Sequence, residues 1–305
     1  KEGSLRLIAL AMKRKRWEPL AFASPSLGLI ALVIAFPLAY SFWLSLQNFD
    51  LSVGSDYEFV GAKNYVEALF RDPRFLGSVW NTAVIIVPSL VMELVLGLAL
   101  ALLLSRVAHG RPIITALLAV PAMVSPVMAA MAWRMMFGVK FGAINNLGLQ
   151  LGLIDSYFDW FGSPALAVMT VVLVETWHNT PFMMLVLLAG IQSIPQELYE
   201  AAKADGARPW QSFWSITLPL LKFTMVVGVM IRLIDLTKLF GLIFVLTYGG
   251  PGGSTETVAF TTYLAGFKDF RMSYAAALSY LIVGGVLALT LLFMWIQRIR
   301  EARAA

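Results

Sequence analysis

The chain has 305 residues, of which 59% are hydrophobic and only 13% charged, with a formal net charge of +5 and a mean hydropathy of +0.77. Because soluble domains carry roughly 25% charged residues, this composition excludes an ordinary water-soluble protein and favours a lipid bilayer as the solvent. Cysteine is absent, which excludes disulfides and thiolate metal sites.

Several apolar stretches are each long enough to cross about 30 Å of hydrocarbon at about 1.5 Å per residue. The first is too long for the apolar core of a signal peptide, so we expect it to be retained. The sequence therefore predicts an all-α membrane protein with a single transmembrane domain over residues 20–296, an N-terminal cytoplasmic segment 1–19 and a cytoplasmic tail 297–305. The six predicted spans are 20–46, 82–104, 112–137, 165–191, 223–247 and 274–296.

The orientation is predicted from the Lys and Arg residues of the connecting segments, which concentrate on the cytoplasmic side of membrane proteins. With a cytoplasmic N-terminus, fourteen of the 23 Lys and Arg residues lie in cytoplasmic segments and six in outer segments. This distribution places both termini in the cytoplasm. It also explains the net positive charge as a topology signal, so we expect no nucleic-acid partner.

Between the fourth and fifth predicted spans, residues 193–219 form a charged cytoplasmic segment. Ser193 and Gln196 have the spacing of a capping box, which predicts a short helix over about 194–204. We expect Gly206 to end that helix in the left-handed conformation and Pro209 to begin a second one. The second helix is predicted to end at Leu218-Pro219 and to place one face of aromatic and polar residues together, namely Trp210, Phe213, Trp214 and Thr217. These features alone are equally consistent with a simple interfacial connection between two spans.

The same segment resembles the EAA loop of permeases from binding-protein-dependent ABC transporters. Glu200-Ala201-Ala202, Gly206, Ile216 and Leu218-Pro219 occur at the spacing of that motif. Asn81-Thr82 and the stretches "ETWHNTPFMMLVLLAGIQSIPQELYEAA" and "LTYGGPGGST" are similar to the carbohydrate-uptake branch, which includes maltose-type, trehalose-type and glycerol-3-phosphate-type permeases. The resemblance extends from the first span to the last.

This resemblance implies a type I importer permease of MetI-like fold that moves a saccharide or polyol across the cytoplasmic membrane by alternating access. The implied partners are a second homologous permease subunit, two ATPase subunits and an extracytoplasmic solute-binding protein. ATP and Mg would be bound by the ATPases, and the chain itself is expected to have no cofactor and no catalytic activity, since it contains no G-x-x-x-x-G-K-[ST] phosphate loop. The residues implied to couple to an ATPase are Glu200, Ala201, Ala202, Asp205 and Gly206.

Ionisable side chains within the predicted spans are costly and are expected to face a cavity or a partner. Two faces of polar and apolar residues at helical spacing stand out, and the resemblance implies that they line the solute path, because the matching positions of maltose-type permeases surround the bound sugar. They are Glu175, His178, Asn179 and Phe182 in the fourth span, and Arg232, Asp235, Leu236 and Leu239 in the fifth.

The alternative for these residues is structural pairing between spans. Glu175 and Lys238 lie at matching depths of about 23 Å from the cytoplasmic ends of their spans. We therefore predict that Glu175 and Lys238 form an ion pair while Asn179 contacts the solute. Glu93, in the second span, has no partner that the sequence identifies.

Two other functions are compatible with buried charges. One is an ion-coupled secondary transporter that uses Glu175 and Asp235, although it gives the charged segment 193–219 no role. The other is an enzyme with a metal or acid–base site built from Glu93, Glu175 and His178. The enzyme is disfavoured because no H-E-x-x-H or comparable ligand spacing is present.

Overall fold

The computed structural model describes residues 22–54 and 57–302, so the predicted segment 1–19 lies outside the described residues. The described part is mainly helical, and its only regular strands are two short antiparallel ones, β1 (Gln47–Asn48) and β2 (Glu58–Phe59), with Gln47 opposite Phe59. The helices are α1 (Phe22–Ser45), α2 (Lys63–Phe70), α3 (Pro73–Ser105), α4 (Arg111–Met123), α5 (Pro126–Met136), α6 (Ala143–Gln150), α7 (Pro164–Gln192), α8 (Gln196–Ala204), α9 (Pro209–Thr237), α10 (Gly241–Leu246), α11 (Val258–Tyr263) and α12 (Met272–Ala302).

The described residues form two compact units. The first contains residues 22–66 and 265–280, and the second contains residues 67–264 and 281–302. In the first unit the Asn64 side chain donates hydrogen bonds to the carbonyls of Ser45 and Gln47 at 2.9 and 2.8 Å. The backbone N–H of Phe49 donates to Ser273 at 3.1 Å. Side-chain and backbone hydrogen bonds therefore fix the turn that follows α1.

In the second unit the most extensive helix–helix contact joins α3 and α7. A Cβ added at Gly97 of α3 would lie 2.9 Å from Cβ of Met183, so the helices approach closely because Gly97 has no side chain. Two apolar clusters fill the unit. One surrounds Met183 and Leu187, and the other brings α10 against α5 and α7.

The ends of the long helices follow local sequence rules. Asp72 caps α3 by accepting hydrogen bonds from the backbone N–H groups of Arg74 and Phe75 at 2.8 and 3.2 Å, with Pro73 in the first turn. Ser163 caps α7 in the same way. The predicted span 82–104 lies within α3, which begins earlier, and the predicted span 165–191 matches α7.

The predicted span 112–137 is not one straight helix. It is the pair α4 and α5, bent by 88° at Val124–Ser125. Pro126 lacks a backbone N–H and restricts Ser125 to extended angles, so the helix cannot continue through this point. Within residues 22–54 and 57–302, five helices are long and apolar enough to cross a membrane, or six if this bent pair counts as one span.

The predicted span 223–247 is not one continuous helix. The helix α9 begins at Pro209 and ends at Thr237, and the short α10 follows after a break. Leu242, Ile243 and Leu246 of α10 are buried in the apolar core of the second unit. This stretch is therefore apolar because protein covers it, and hydropathy alone does not distinguish that environment from lipid.

Large apolar side chains are exposed along the long helices, for example Leu32 and Val33 of α1, Val87 and Val95 of α3, and Leu291 of α12. Soluble monomers rarely expose contiguous apolar surface of this extent. Such helices bury their outer faces in the hydrocarbon of a bilayer.

Candidate functional site

The most buried charged groups of the second unit meet where α3, α7 and α9 come together. The Arg232 side chain donates two hydrogen bonds to Glu93, from Nε to Oε2 at 2.7 Å and from Nη2 to Oε1 at 2.9 Å. Its Nη2 also donates to Oε1 of Glu175 at 2.8 Å. The three side chains are at most 6% exposed. Because a guanidinium matches a carboxylate with two parallel hydrogen bonds, the Glu93–Arg232 contact has the strongest available geometry.

Asn179 extends this network by one turn of α7. Its Nδ2 donates to Oε1 of Glu175 at 2.7 Å, so one carboxylate oxygen accepts from both Asn179 and Arg232. With the amide nitrogen engaged, the carbonyl oxygen of Asn179 is the group that can accept a hydrogen bond from another molecule. We call Glu93, Glu175, Asn179 and Arg232 the membrane network.

The other predicted solute contacts lie around this network in different environments. Asp235 is half-exposed, and its Oδ2 is 3.8 Å from Nη1 of Arg232. Phe182 is half-buried on α7, one turn from Asn179. His178 is buried, interacts with the backbone carbonyl of Pro121 near the bend between α4 and α5, and leaves its Nδ1 without a hydrogen-bond partner.

The predicted face of α9 is only partly formed. Because α9 ends at Thr237, Leu239 does not continue the helical spacing from Arg232. Leu239 packs into the apolar core instead, and Leu236 is also fully buried. Protein therefore covers both leucines in this structure, and their contact with the solute stays a prediction.

The predicted ion pair between Glu175 and Lys238 is wrong. Glu175 pairs with Arg232, and Lys238 lies beyond the last residue of α9, where the backbone has left the helix. The sequence also missed the partner of Glu93, which is the same Arg232. Glu93 and Arg232 lie at similar depths, about 17 and 14 Å from the cytoplasmic ends of their predicted spans, whereas Glu175 lies about 24 Å deep, so depth alone does not predict that Arg232 bonds both carboxylates.

The charged segment folds as a helical hairpin, α8 followed by the first two turns of α9. Gly206 ends α8 with φ of +78°, and the N–H of Ala207 reaches the carbonyl of Ala202 at 2.9 Å, as in a glycine-terminated helix. Pro209 opens α9 as predicted. The Tyr199 hydroxyl lies 2.9 Å from that of Thr217 and ties the two helices together.

Two details of the hairpin differ from prediction. Ser193 does not cap α8, since its hydroxyl donates to the carbonyl of Gly190 at 2.7 Å and α8 starts after Pro195. Leu218-Pro219 does not end the second helix either. A π-helical turn over Phe213–Thr217 carries the chain directly into the rest of α9, and Pro219 is tolerated because it falls just after that turn.

The coupling residues predicted from the motif lie on the outside of the hairpin. No residue of α8 is buried. Glu200, Ala201 and Asp205 are exposed, Ala202 is half-buried and Gly206 is exposed at the turn. The structure thus leaves one face of α8 open to another body.

Two further stretches that resemble the carbohydrate-uptake branch lie together at the end of α3 away from the hairpin. The Asn81 side chain donates to the carbonyl of Gly253 at 2.8 Å, and Thr82 accepts from the N–H of Val258 at 2.9 Å. Arg74 and Glu256 form a bidentate ion pair beside them, at 2.9 and 3.0 Å. These contacts anchor the glycine-rich loop 248–256 to α3.

Glu93, Glu175 and His178 are the residues of the alternative metal or acid–base site. Within residues 22–54 and 57–302 no group of three or more His, Asp or Glu side chains is arranged to hold a metal ion. The carboxylates of this set are instead engaged by Arg232.

Comparisons with known proteins agree with this architecture. The family described as "Binding-protein-dependent transport system inner membrane component" matches residues 93–305. The trehalose/maltose transport system permease protein of Thermococcus litoralis is 37% identical over 280 residues, which cover 91% of this chain and 92% of that protein. The trehalose transport system permease protein of Mycobacterium tuberculosis is 34% identical over 271 residues, covering 89% and 85%.

A solved structure shows the same fold. A chain from the crystal structure of a bacterial ABC transporter that imports the acidic polysaccharide alginate superposes with a TM-score of 0.80 at 23% identity, covering 95% of this chain and 98% of that one. At this identity the likeness establishes the fold alone. The fold is therefore that of the MetI-like ABC permeases.

Proposed function

Since the chain belongs to the family of binding-protein-dependent transport system inner membrane components, we propose that it is the permease subunit of an ATP-driven importer for a saccharide or polyol. It is a multi-pass protein of the inner membrane. The carbohydrate assignment is supported by the relatives whose names specify trehalose or maltose, at 37% and 34% identity. Family membership favours this function over ion-coupled secondary transport.

The proposed topology has six spans with both termini in the cytoplasm. The bent pair α4 and α5 counts as one span, and the distribution of Lys and Arg supplies the orientation. In this orientation the hairpin of α8 and α9 faces the cytoplasm, whereas the loop 248–256 and the Arg74–Glu256 pair face outward.

The proposed partners are a second homologous permease, two ATPase subunits that bind ATP and Mg, and an extracytoplasmic solute-binding protein. The family description itself specifies dependence on a binding protein. Closure of the ATPases would move the hairpin as a lever, so that the long helices rock and expose the solute alternately to the two sides.

The exposed face of α8 is the observation that supports a contact with the ATPase. Glu200 and Ala201 point away from the hairpin, while Tyr199 on the other side of the same helix bonds Thr217. Small residues beside the Glu200 carboxylate permit close approach of a partner, and the internal hydrogen bond ties the two helices of the hairpin together.

The test is co-purification of a tagged chain with its ATPase. Reversing a charge within a buried contact typically costs several kcal/mol, so Glu200→Lys is expected to reduce the recovered ATPase at least tenfold. Glu58→Lys, the same charge reversal at an exposed residue outside the hairpin, is the matched control and should retain most of it. Undiminished recovery of the ATPase with Glu200→Lys contradicts the proposed contact.

The proposed solute path passes Asn179, with His178, Phe182 and Asp235 nearby. The side-chain carbonyl of Asn179, whose amide nitrogen donates to Glu175, suits a sugar hydroxyl, and the half-buried Phe182 suits the apolar face of a sugar ring. In vesicles containing the assembled transporter, Asn179→Leu is expected to lower solute uptake while leaving binding of the solute-binding protein unchanged.

The same vesicles separate ATP-driven import from ion coupling. Uptake should require ATP inside the vesicles together with the ATPase subunits, and it should persist when ion gradients are collapsed. Uptake by the permease alone, driven by an ion gradient, would overturn the proposal.

A further inference from the structure

A cleft of about 730 Å³ lies beside the hairpin, where the end of α3 meets α8 and the start of α9. Its size is within the range of small-molecule sites. Its walls combine two cations with three aromatic side chains, and no Asp or Glu lines it. The residues concerned are Arg106, Lys203, Tyr199, Trp210 and Phe213.

Both cations of the cleft lack a counter-charge. Within the part of the chain that the structure describes, neither Arg106 nor Lys203 forms an ion pair. Both side chains are exposed. Two uncompensated cations that line one concave surface favour an anion, and a phosphate group accepts hydrogen bonds from both Arg and Lys.

The aromatic residues locate the cleft at a membrane surface. Trp210 and Trp214 are 68% and 51% exposed and pack edge-to-face on each other. Tryptophan is enriched where the bilayer meets water. The end of the apolar helix α3 at Ser105, immediately before Arg106, places the cleft at the same level.

The cleft is separate from the proposed ATPase contact. Gln196, Tyr199 and Lys203 share the face of α8 that lines the cleft. Glu200 and Ala201 do not line it and belong to the other face. The predicted ATPase-contact residues Glu200 and Ala201 are therefore different from the residues of α8 that line the cleft.

We propose that this cleft binds a phosphate-bearing anion, with Arg106 and Lys203 holding the phosphate and Trp210 and Phe213 covering the rest of the ligand. The phosphate belongs either to an anionic phospholipid of the cytoplasmic leaflet or to a phosphorylated metabolite. The assignment to the cytoplasmic leaflet rests on the topology proposed above. Binding measured in detergent does not depend on that topology. Basic pockets between helices on the cytoplasmic side are a recurrent form of lipid-headgroup site. Such a ligand bridges the end of α3 to α8 and so restrains the hairpin.

The test is native mass spectrometry of the full chain in detergent, titrated with short-chain phosphatidylglycerol, phosphatidylcholine or glycerol phosphate. Each basic residue near a membrane surface contributes about fivefold in affinity for anionic lipid. Removing both charges with Arg106→Gln and Lys203→Gln should therefore weaken phosphatidylglycerol binding by roughly 25-fold. Arg208→Gln is the matched control, because it removes an exposed charge of the same hairpin that does not line the cleft.

The outcomes separate the two sources of phosphate. Loss of phosphatidylglycerol in the double variant, with phosphatidylcholine bound weakly by both proteins, supports a lipid headgroup. Binding of glycerol phosphate that the double variant loses supports a metabolite. Arg106→Lys should preserve either result, because the charge remains. If the double variant and Arg208→Gln bind every probe as the unchanged protein does, the cleft is not a phosphate site.

Discussion

The two charged regions of this chain use charge in opposite ways. In the membrane network every charged side chain is buried and directly bonded, with Arg232 shared between Glu93 and Glu175. In the hairpin no residue of α8 is buried, and Glu200 and Lys203 form no ion pair within the described residues. Burial without a partner costs several kcal/mol per ion, whereas water solvates an exposed charge. We therefore expect the charged groups of the network to hold the helices together, and the charges of the hairpin to be available to other molecules.

The largest expected effect is on the network. Arg232→Met leaves two carboxylates uncompensated inside the helix bundle, so it should destabilise the protein by about 3–5 kcal/mol. The thermal midpoint of the purified chain in detergent, followed by loss of the monodisperse peak, measures the change.

The triple variant Arg232→Met, Glu93→Leu and Glu175→Leu is the matched control, because it removes the charges together and replaces the bonds by apolar contacts. It should recover much of the lost stability. If Arg232→Met is as stable as the unchanged protein, the network does not hold α3, α7 and α9 together.

The hairpin and the membrane network also differ in how far the sequence predicts them. The hairpin depends on short-range rules, and Gly206 and Pro209 mark its turn by their own backbone preferences. The network depends on which helices are neighbours. Two cations, Arg232 and Lys238, are candidate partners of Glu175 in the sequence. Arg232 lies within α9 and forms the ion pair, whereas Lys238 follows the end of α9 at Thr237.

The same limit applies to the spans. The apolar stretch 165–191 matches α7 almost to the residue, because the helix begins at the Ser163 cap, where the apolar stretch also begins. The stretch 241–246 was assigned to a span because hydropathy reports that a residue avoids water, not whether protein or lipid surrounds it. Pro121 and Pro126 lie on either side of the bend between α4 and α5, whereas the long apolar run predicts a single span there.

The second-largest loss of stability is expected where α3 packs closely against α7. Gly97→Ala places a methyl group 2.9 Å from Cβ and Cγ of Met183 and 3.0 Å from the backbone N of Met184. Overpacking of this kind costs about 1–3 kcal/mol, and the same thermal midpoint should fall.

Gly77→Ala is its control on the same helix, since a Cβ there meets no atom within 4 Å. Alanine favours the helix by about 0.5–1 kcal/mol, so the midpoint should rise. A similar change for both glycines would show that α3 and α7 adjust freely around the network.

A smaller effect is expected at the exposed ion pair of Arg74 and Glu256. Its geometry is as good as that of Arg232 and Glu93, with contacts of 2.9 and 3.0 Å, but its side chains are 45% and 16% exposed. Exposed pairs contribute about 0–1 kcal/mol, so Arg74→Met should lower the midpoint only slightly. A loss as large as that of Arg232→Met would mean that geometry rather than burial determines the cost, and it would contradict the comparison.

The smallest change in stability is expected at Glu200, where the comparison predicts that stability and partner binding separate. Because Glu200 is exposed and contacts no charged residue within the described part of the chain, Glu200→Lys should change the free energy of unfolding by less than about 0.5 kcal/mol. The same substitution is expected to reduce ATPase recovery at least tenfold. Measuring the thermal midpoint and the co-purified ATPase on one preparation tests both statements. If the midpoint falls as the ATPase is lost, Glu200 supports the hairpin itself. If the midpoint is unchanged and the ATPase is lost, the exposed charge acts only through the partner, which is the opposite of the role of Arg232.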